Sequence, residues 1–146
     1  MDKYQKIASF TKDHDVLPEG LHRSGTDAYG VTTYDLRFVK PNGGVYLSPA
    51  VMHTVEHCFA TLARNGRYKD KVVYFGPMGC QTGFYLLIGI DDIAVVKQEI
   101  MSWCVDMLDM TEIPGSGRQE CGNYLSHDLD GAKMAVGRYL EILRSI

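Results

Sequence analysis

Apolar and polar residues alternate in four short segments of the chain, a pattern typical of half-buried β-strands. Residues 21–27 (LHRSGTD) and 30–39 (GVTTYDLRFV) are predicted to form two strands joined by a short turn. Residues 71–78 (KVVYFGPM) and 82–90 (TGFYLLIGI) are predicted to form two more, again separated by a few residues. Turns this short favour antiparallel pairing of the strands that they connect.

Three other segments carry apolar residues at helical spacing. The first is predicted to begin with Ser48 as the N-cap and Pro49 at the first helical position, and to end near Gly66. The second covers residues 91–110 and the third residues 128–144. The residues predicted to face the core are Val51, Val55, Cys58, Phe59 and Leu62 in the first helix, Ile93, Val96, Ile100, Trp103 and Met107 in the second, and Leu129, Ala132, Val136, Tyr139 and Leu143 in the third.

Strands joined by turns, with helices interspersed, predict an α+β fold in which an antiparallel β-sheet is covered by α-helices. The chain has 146 residues, of which 45% are hydrophobic, so we expect a single domain over residues 1–146. The net charge is -3 and there is no block of lysine and arginine, so neither nucleic acid nor an anionic membrane is expected as a partner. The first ten residues, MDKYQKIASF, do not resemble a signal peptide, so a cytoplasmic location is expected.

The chain has four cysteines, and they form neither CxxC pairs nor the dense framework of a secreted domain. In a reducing cytoplasm they are expected to be free thiols. Cys58 and Cys104 fall within apolar helical stripes and are predicted to be core residues. Cys80, in GPMGCQTG, and Cys121, in QECGNYLSHDL, lie in irregular segments, where a thiol can take part in chemistry.

The stretch MHTVEHCFA, residues 52–60, places His53 and His57 four residues apart on the first predicted helix. Side chains at this spacing project from the same face and can bind one ion. Glu56 lies beside the pair, and the pattern H-x-x-E-H is that of inverzincin metallohydrolases. The alternative is a pair of surface histidines next to a carboxylate, because this spacing also occurs by chance.

A catalytic metal site usually has three protein ligands and one open position. Cys121 is the first candidate for the third ligand, because a metal favours thiolate and Gly122 allows close approach. The alternative is a buried free cysteine. Cys80 is a candidate nucleophile or general base, and its alternative is a turn residue without a chemical role.

The order of the motifs SFTKDH, GTD, YDLRF, HTVEH, PMGCQTGFY, TEIPG and ECG followed by HDLDGAK resembles the S-ribosylhomocysteine lyase (LuxS) family from about residue 9 to residue 133. The resemblance implies cleavage of S-ribosylhomocysteine to homocysteine and dihydroxypentanedione, the precursor of autoinducer-2. The carbonyl group would migrate along the sugar before homocysteine leaves by β-elimination. The resemblance also implies homodimers whose active sites lie at the subunit interface.

The resemblance assigns a role to each matching residue. It implies one divalent metal per subunit, natively Fe(II) and often replaced by Zn or Co. The implied metal ligands are His53, His57 and Cys121, the implied catalytic acid/base residues are Glu56 and Cys80, and the implied substrate-binding residues are Ser9, His14 and Arg37.

The sequence departs from this family at Tyr74 and Phe75, where many members have an aspartate and an aliphatic residue. This difference affects the expected contacts to the substrate but not the reaction class. Two other functions are compatible with the motifs. The first is an inverzincin-type hydrolase that uses Glu112 or Glu120 as the third ligand, and the second is a metal-binding module without turnover.

Overall fold

The computed structural model describes residues 3–146, which form four strands and three long helices. Two short 3₁₀ turns, Ala8–Phe10 and Lys69–Lys71, precede β1 and β3 respectively. The main elements in chain order are β1 (Gly20–Thr26), β2 (Thr32–Arg37), α1 (Pro49–Asn65), β3 (Val72–Pro77), β4 (Gly83–Ile88), α2 (Ile93–Leu108) and α3 (Leu129–Arg144).

The four strands form one antiparallel sheet in the order β1-β2-β4-β3. Both predicted hairpins are present, β1 with β2 and β3 with β4. The central pairing of β2 with β4 sets Tyr34 opposite Leu86 and Leu36 opposite Phe84. The predicted α+β architecture, an antiparallel sheet covered by helices, is therefore confirmed.

The first helix has the predicted limits. The Ser48 side chain accepts a hydrogen bond from the backbone N–H of Val51, and Pro49 occupies the first helical position. These contacts satisfy a free N–H group and fix φ at the start of α1, which is why the chain turns helical here. Of its predicted apolar stripe, Val55 and Phe59 are fully buried. His53 and His57 lie off this stripe and are half-buried.

The prediction that Ile93 of α2 faces the core is wrong. Ile93 is the first residue of the helix and 42% of its side chain is exposed, whereas Val96, Ile100 and Trp103 are buried. Ile93 directly follows the N-cap Asp92, so it precedes the first buried residue of the helix, Val96, by almost one turn. None of the helices in residues 3–146 has both the length and the apolarity required to cross a membrane.

The helices cover one face of the sheet, where aromatic rings join the layers. Phe59 of α1 lies 5.5 Å from Phe75 of β3, and Tyr139 of α3 stacks on Phe38 with ring centroids 4.0 Å apart. Side chains alternate between the two faces of a strand, so Asp35 and Arg37 of β2 point to the face of the sheet that the helices do not cover. Both are nonetheless buried, with 0% and 1% exposure. The segment that precedes β1 covers this second face, where Lys12 contacts Asp35.

Candidate metal centre and active site

The two histidines of α1 are held in the orientation that a metal site requires. The Nδ1 atom of His53 lies 2.8 Å from the carbonyl oxygen of Ser126, and Nδ1 of His57 lies 2.9 Å from that of Pro114. A carbonyl oxygen can only accept a hydrogen bond, so each Nδ1 carries the proton. The lone pair of each Nε2 is therefore free to bind a metal.

Cys121 lies beside these rings. Its Sγ is 3.4 Å from Nε2 of His53 and 3.8 Å from Nε2 of His127. Only 8% of the residue is exposed, and its backbone N–H donates to the carbonyl oxygen of Gly117, which closes the turn that positions it. The glycine-rich segment before Cys121 thus folds back to bring the thiol to α1.

His127 is a fourth member of the cluster, and its ring stacks on His53 with centroids 3.9 Å apart. Its Nδ1 lies 3.0 Å from the hydroxyl of Thr54. That hydroxyl donates its proton to the carbonyl oxygen of Ala50 and accepts from the N–H of Asp128. The hydroxyl must then accept from His127 as well, so the proton lies on Nδ1 and the Nε2 lone pair is free.

The environment of His127 also favours its neutral, metal-binding form. Burial lowers the pKa of His127, and the charges that His53 and His57 carry when protonated lower it further. The three imidazole rings are close enough for a positive charge on one to disfavour a charge on the others. A metal ion bound to the neutral rings can supply the positive charge in place of protons.

The donor atoms of His53, His57, Cys121 and His127 all lie within 4.8 Å of one another. Tetrahedral zinc bonds of about 2.0–2.3 Å place the ligand atoms roughly 3.3–3.8 Å apart, so a small contraction would enclose an ion. Three neutral imidazoles and one thiolate suit Fe, Zn or Co better than Mg or Ca. The residues present therefore fit a transition metal. Neither Glu112 nor Glu120 belongs to the cluster.

His127 was not predicted to be a donor, although its motif HDLDGAK is part of the resemblance to the family. One signal was available. His127 directly precedes Asp128, the N-cap of α3, and follows Cys121 by six residues. A histidine fixed at a helix start close to a candidate ligand is well placed to join the same site, but its proximity to α1 depends on the tertiary fold.

Cys80 lies in the turn between β3 and β4 and is exposed. Backbone hydrogen bonds from Met78 to Gly83 and from Gln81 to Met78 close this turn. Gln81 has a positive φ of 65°, an uncommon conformation for a residue other than glycine. Its carbonyl oxygen accepts from the N–H of Leu47, which ties the turn to the segment that enters α1. The position of Cys80 relative to the metal centre is fixed in this way.

A surface depression of about 310 Å³ connects α1 to this turn. The volume is at the lower end of the range for small-molecule sites. His53 and Glu56 line one side, and Gly79 and Gln81, the neighbours of Cys80, line the other. A ligand in the depression could contact a histidine of the metal centre, a carboxylate and the turn that carries Cys80.

Arg37 is not part of the wall of this depression. It is 1% exposed, and its Nη1 donates to the hydroxyl of Thr82 at 2.7 Å and lies 3.9 Å from Sγ of Cys80. The Thr82 hydroxyl in turn lies 3.1 Å from Sγ of Cys80. The buried guanidinium group of Arg37 therefore lies beside the Cys80 thiol, both directly and through Thr82.

Ser9 and His14 lie away from the metal centre of their own chain. The Ser9 hydroxyl accepts a hydrogen bond of 3.2 Å from Tyr85, on the face of the sheet opposite the helices. The ring of His14 lies 3.0 Å from the carbonyl oxygen of Lys12. Neither residue lines the depression beside Glu56. Within a single chain, Ser9 and His14 therefore lie outside the depression that His53 and Glu56 line.

Tyr74, one of the two residues that depart from the pattern of the resembled family, is half-exposed and folds over Gly76. A Cβ atom at position 76 would overlap the phenol group of Tyr74. The two positions are thus coupled, because the missing side chain at Gly76 makes room for the ring.

The comparisons with known proteins agree with this geometry. Residues 7–145 match the family model described as S-Ribosylhomocysteinase (LuxS). Proteins named S-ribosylhomocysteine lyase from Borreliella burgdorferi (strain ZS7), Desulfotalea psychrophila and Phocaeicola vulgatus are 43%, 42% and 44% identical to this chain. These alignments cover 97%, 97% and 92% of the chain and 94%, 94% and 87% of the relatives. The chain belongs to the S-ribosylhomocysteinase (LuxS) family.

Proposed function

We propose that this protein is an S-ribosylhomocysteine lyase, a carbon–sulfur lyase that produces homocysteine and dihydroxypentanedione, the autoinducer-2 precursor. One observation carries the proposal: a single depression has His53 of the metal centre and Glu56 on one side and the turn that holds Cys80 on the other. The names of the relatives support the choice of substrate. We take residues 1–146 as one functional unit.

The reaction needs proton transfers at carbon and at oxygen. The sugar carbonyl must first migrate toward the thioether, because β-elimination requires an acidic C–H between the carbonyl and the C–S bond. Cys80, as thiolate, removes a proton from a carbon next to the carbonyl and returns it to the neighbouring carbon. Glu56 moves protons between the hydroxyl and carbonyl oxygens. In the last step Cys80 removes the proton between the carbonyl and the C–S bond, a C=C bond forms, and the C–S electron pair leaves on the homocysteine sulfur, which takes up a proton. The enol that remains tautomerises to dihydroxypentanedione.

His53, His57 and Cys121 would hold the metal ion, and His127 supplies the nearest further donor atom. We propose Fe(II) as the native metal, with Zn or Co as substitutes, since imidazole and thiolate donors suit all three. When bound, the metal would act as a Lewis acid toward the oxygens of the sugar. A cytoplasmic location is part of this proposal, because a reducing compartment preserves Fe(II) and keeps the cysteines as free thiols.

We also propose a homodimer with two shared active sites. Ser9 and His14 are implied substrate residues, but they lie away from the metal centre of their own chain. A second copy could supply them. The N-terminal segment exposes large apolar residues, as expected for a surface that another subunit covers. These residues, with their exposed fractions, are Tyr4 (68%), Ile7 (58%), Phe10 (66%) and Val16 (70%).

A complementation experiment tests the shared sites. One variant carries Ser9→Ala and His14→Ala, and the other carries Cys80→Ala. If Ser9 and His14 serve the partner's site, each mixed dimer contains one intact site. Random mixing should then restore about a quarter of the wild-type activity from two variants of low activity. Absence of recovery, with subunit exchange verified by native mass spectrometry, would contradict shared sites.

The reaction itself is tested by incubating the anaerobically purified, Fe(II)-loaded protein with S-ribosylhomocysteine. We expect stoichiometric release of free thiol together with dihydroxypentanedione, and loss of turnover after chelation of the metal. Peptide cleavage without thiol release would instead support the inverzincin-type hydrolase. If the protein binds metal but shows neither activity, the result would support a metal-binding module without turnover. The Glu56→Gln variant is the control for thiol released without enzymatic proton transfer.

A further inference from the structure

We infer that Lys12 is a positioning residue that keeps Cys80 in its reactive thiolate form, acting through Asp35 and Arg37. The inference deepens the proposed function, because it concerns the thiol to which that function assigns the proton transfers at carbon. No motif of the resemblance assigns a role to Lys12.

An unbroken series of polar contacts connects the two side chains. The ammonium group of Lys12 lies 2.8 Å from Oδ2 of Asp35. The same oxygen accepts from Nη2 of Arg37 at 2.6 Å, and Oδ1 accepts from Nε of Arg37 at 3.1 Å. The remaining guanidinium nitrogen, Nη1, lies 3.9 Å from Sγ of Cys80.

The charges in this series are unequal. Asp35 is 0% exposed and carries one negative charge, which it shares between two cations. Without Lys12, the carboxylate would neutralise the guanidinium of Arg37, and no net charge would remain beside Cys80. With Lys12 in place the group of three has a net charge of about +1, which favours the thiolate over the thiol.

The other groups near Cys80 do not replace this charge. The hydroxyl of Thr82 lies 3.1 Å from Sγ and is neutral. Glu56 projects from α1 into the depression on the other side of the turn, and its negative charge opposes formation of a thiolate. Arg37 is therefore the cation in contact with Cys80. Asp35 cancels part of the positive charge of Arg37, and Lys12 reduces that cancellation because it also pairs with Asp35.

Lys12 belongs to the segment before β1, not to the sheet. Its ammonium group also donates to the hydroxyl of Ser24 at 2.7 Å, which fixes its position against β1. The ammonium group of Lys12 consequently contacts Asp35 only when this segment is packed against the sheet. Lys40 provides a matched control, because it binds the carbonyl oxygens of Asp15 and Leu17 near the end of the same segment without contacting Asp35.

The test measures the rate at which iodoacetamide alkylates Cys80 in the metal-loaded full-length protein, by mass spectrometry of the modified peptide. Cys58 and Cys104 are fully buried, and burial raises their pKa to about 11 and about 12, so they compete little. Cys121 is 8% exposed and would be bound to the metal. The measurement does not depend on turnover.

We expect Lys12→Met to slow alkylation at pH 7 by about three- to tenfold, the effect of losing one positive charge that acts through Asp35 and Arg37 at intermediate dielectric. The difference should shrink at about pH 9.5, where an ordinary thiol is mostly ionised. Lys12→Arg should restore the rate to within about twofold, because it preserves the charge. Lys40→Met should leave the rate unchanged. In the turnover assay, Lys12→Met should lower kcat by a similar factor with little change in KM.

Alkylation of Lys12→Met at the wild-type rate would overturn the inference. An equal decrease of the alkylation rate in Lys12→Met and Lys40→Met would also overturn it. The rate would then depend on how the segment before β1 packs and not on the charge of Lys12. Slower alkylation with unchanged turnover would support the role of Lys12 and contradict the proposed role of Cys80. If Lys12→Met folds poorly by circular dichroism, Lys12→Gln provides the same loss of charge with a polar side chain.

Discussion

Replacement of Cys121 by alanine is expected to empty the metal centre. The thiol is the only sulfur among the four clustered donors and the only one that brings a negative charge when it binds a metal. Removing a residue that merely orients a ligand already costs about 10–100-fold in metal affinity, so loss of the ligand itself should cost at least the upper end of that range. Metal content after anaerobic dialysis should therefore fall well below one ion per chain.

The matched control is Cys80→Ala, which also removes one cysteine but leaves the cluster intact. Its metal content should equal that of the wild type. Loading both variants with Co(II) adds a spectroscopic test, since the thiolate-to-metal absorption should be present in Cys80→Ala and absent in Cys121→Ala. A Cys121→Ala protein with full metal content would exclude the sulfur as a ligand. The ion would then be held by the three imidazoles of His53, His57 and His127.

Local chemistry explains which parts of the fold could be predicted. The start of α1 follows from two local residues. Ser48 accepts a hydrogen bond from a free backbone N–H of the first turn, and Pro49 fixes φ at the first helical position, whatever surrounds them. The two hairpins follow from alternation of apolar residues around short turns. Ile93 shows the limit of periodicity, because the spacing of apolar residues does not reveal which turn of the helix first contacts the core.

Long-range contacts explain what remained unpredicted. The order β1-β2-β4-β3 places β4 beside β2, which precedes it by about fifty residues, and no local pattern specifies that pairing. The same pairing buries Arg37 next to Thr82 and brings it to within 3.9 Å of Cys80, a contact that the sequence did not indicate. His127 and Lys12 likewise acquire their partners only when distant segments meet on α1 and on β2.

Replacement of Cys80 by alanine is expected to abolish turnover while leaving the metal centre and the fold unchanged. The proposed reaction depends on one base that removes and returns protons at carbon, and loss of such a base typically lowers rates by about 10²–10⁴-fold. Cys80 is exposed and lies outside the donor cluster, so its removal leaves neither a cavity in the core nor an incomplete metal site. Thiol release from S-ribosylhomocysteine, normalised to bound metal, measures the effect.

Isotope exchange distinguishes loss of this base from a general defect. In deuterated water the wild type should incorporate deuterium at the sugar carbons during carbonyl migration, and Cys80→Ala should not. Cys80→Ser should resemble Cys80→Ala, because a hydroxyl of similar size is not ionised near neutral pH. Turnover of Cys80→Ala at the wild-type rate would exclude Cys80 as the base. The carboxylate of Glu56, which lines the depression beside the turn of Cys80, would then be the remaining group positioned to move protons at carbon.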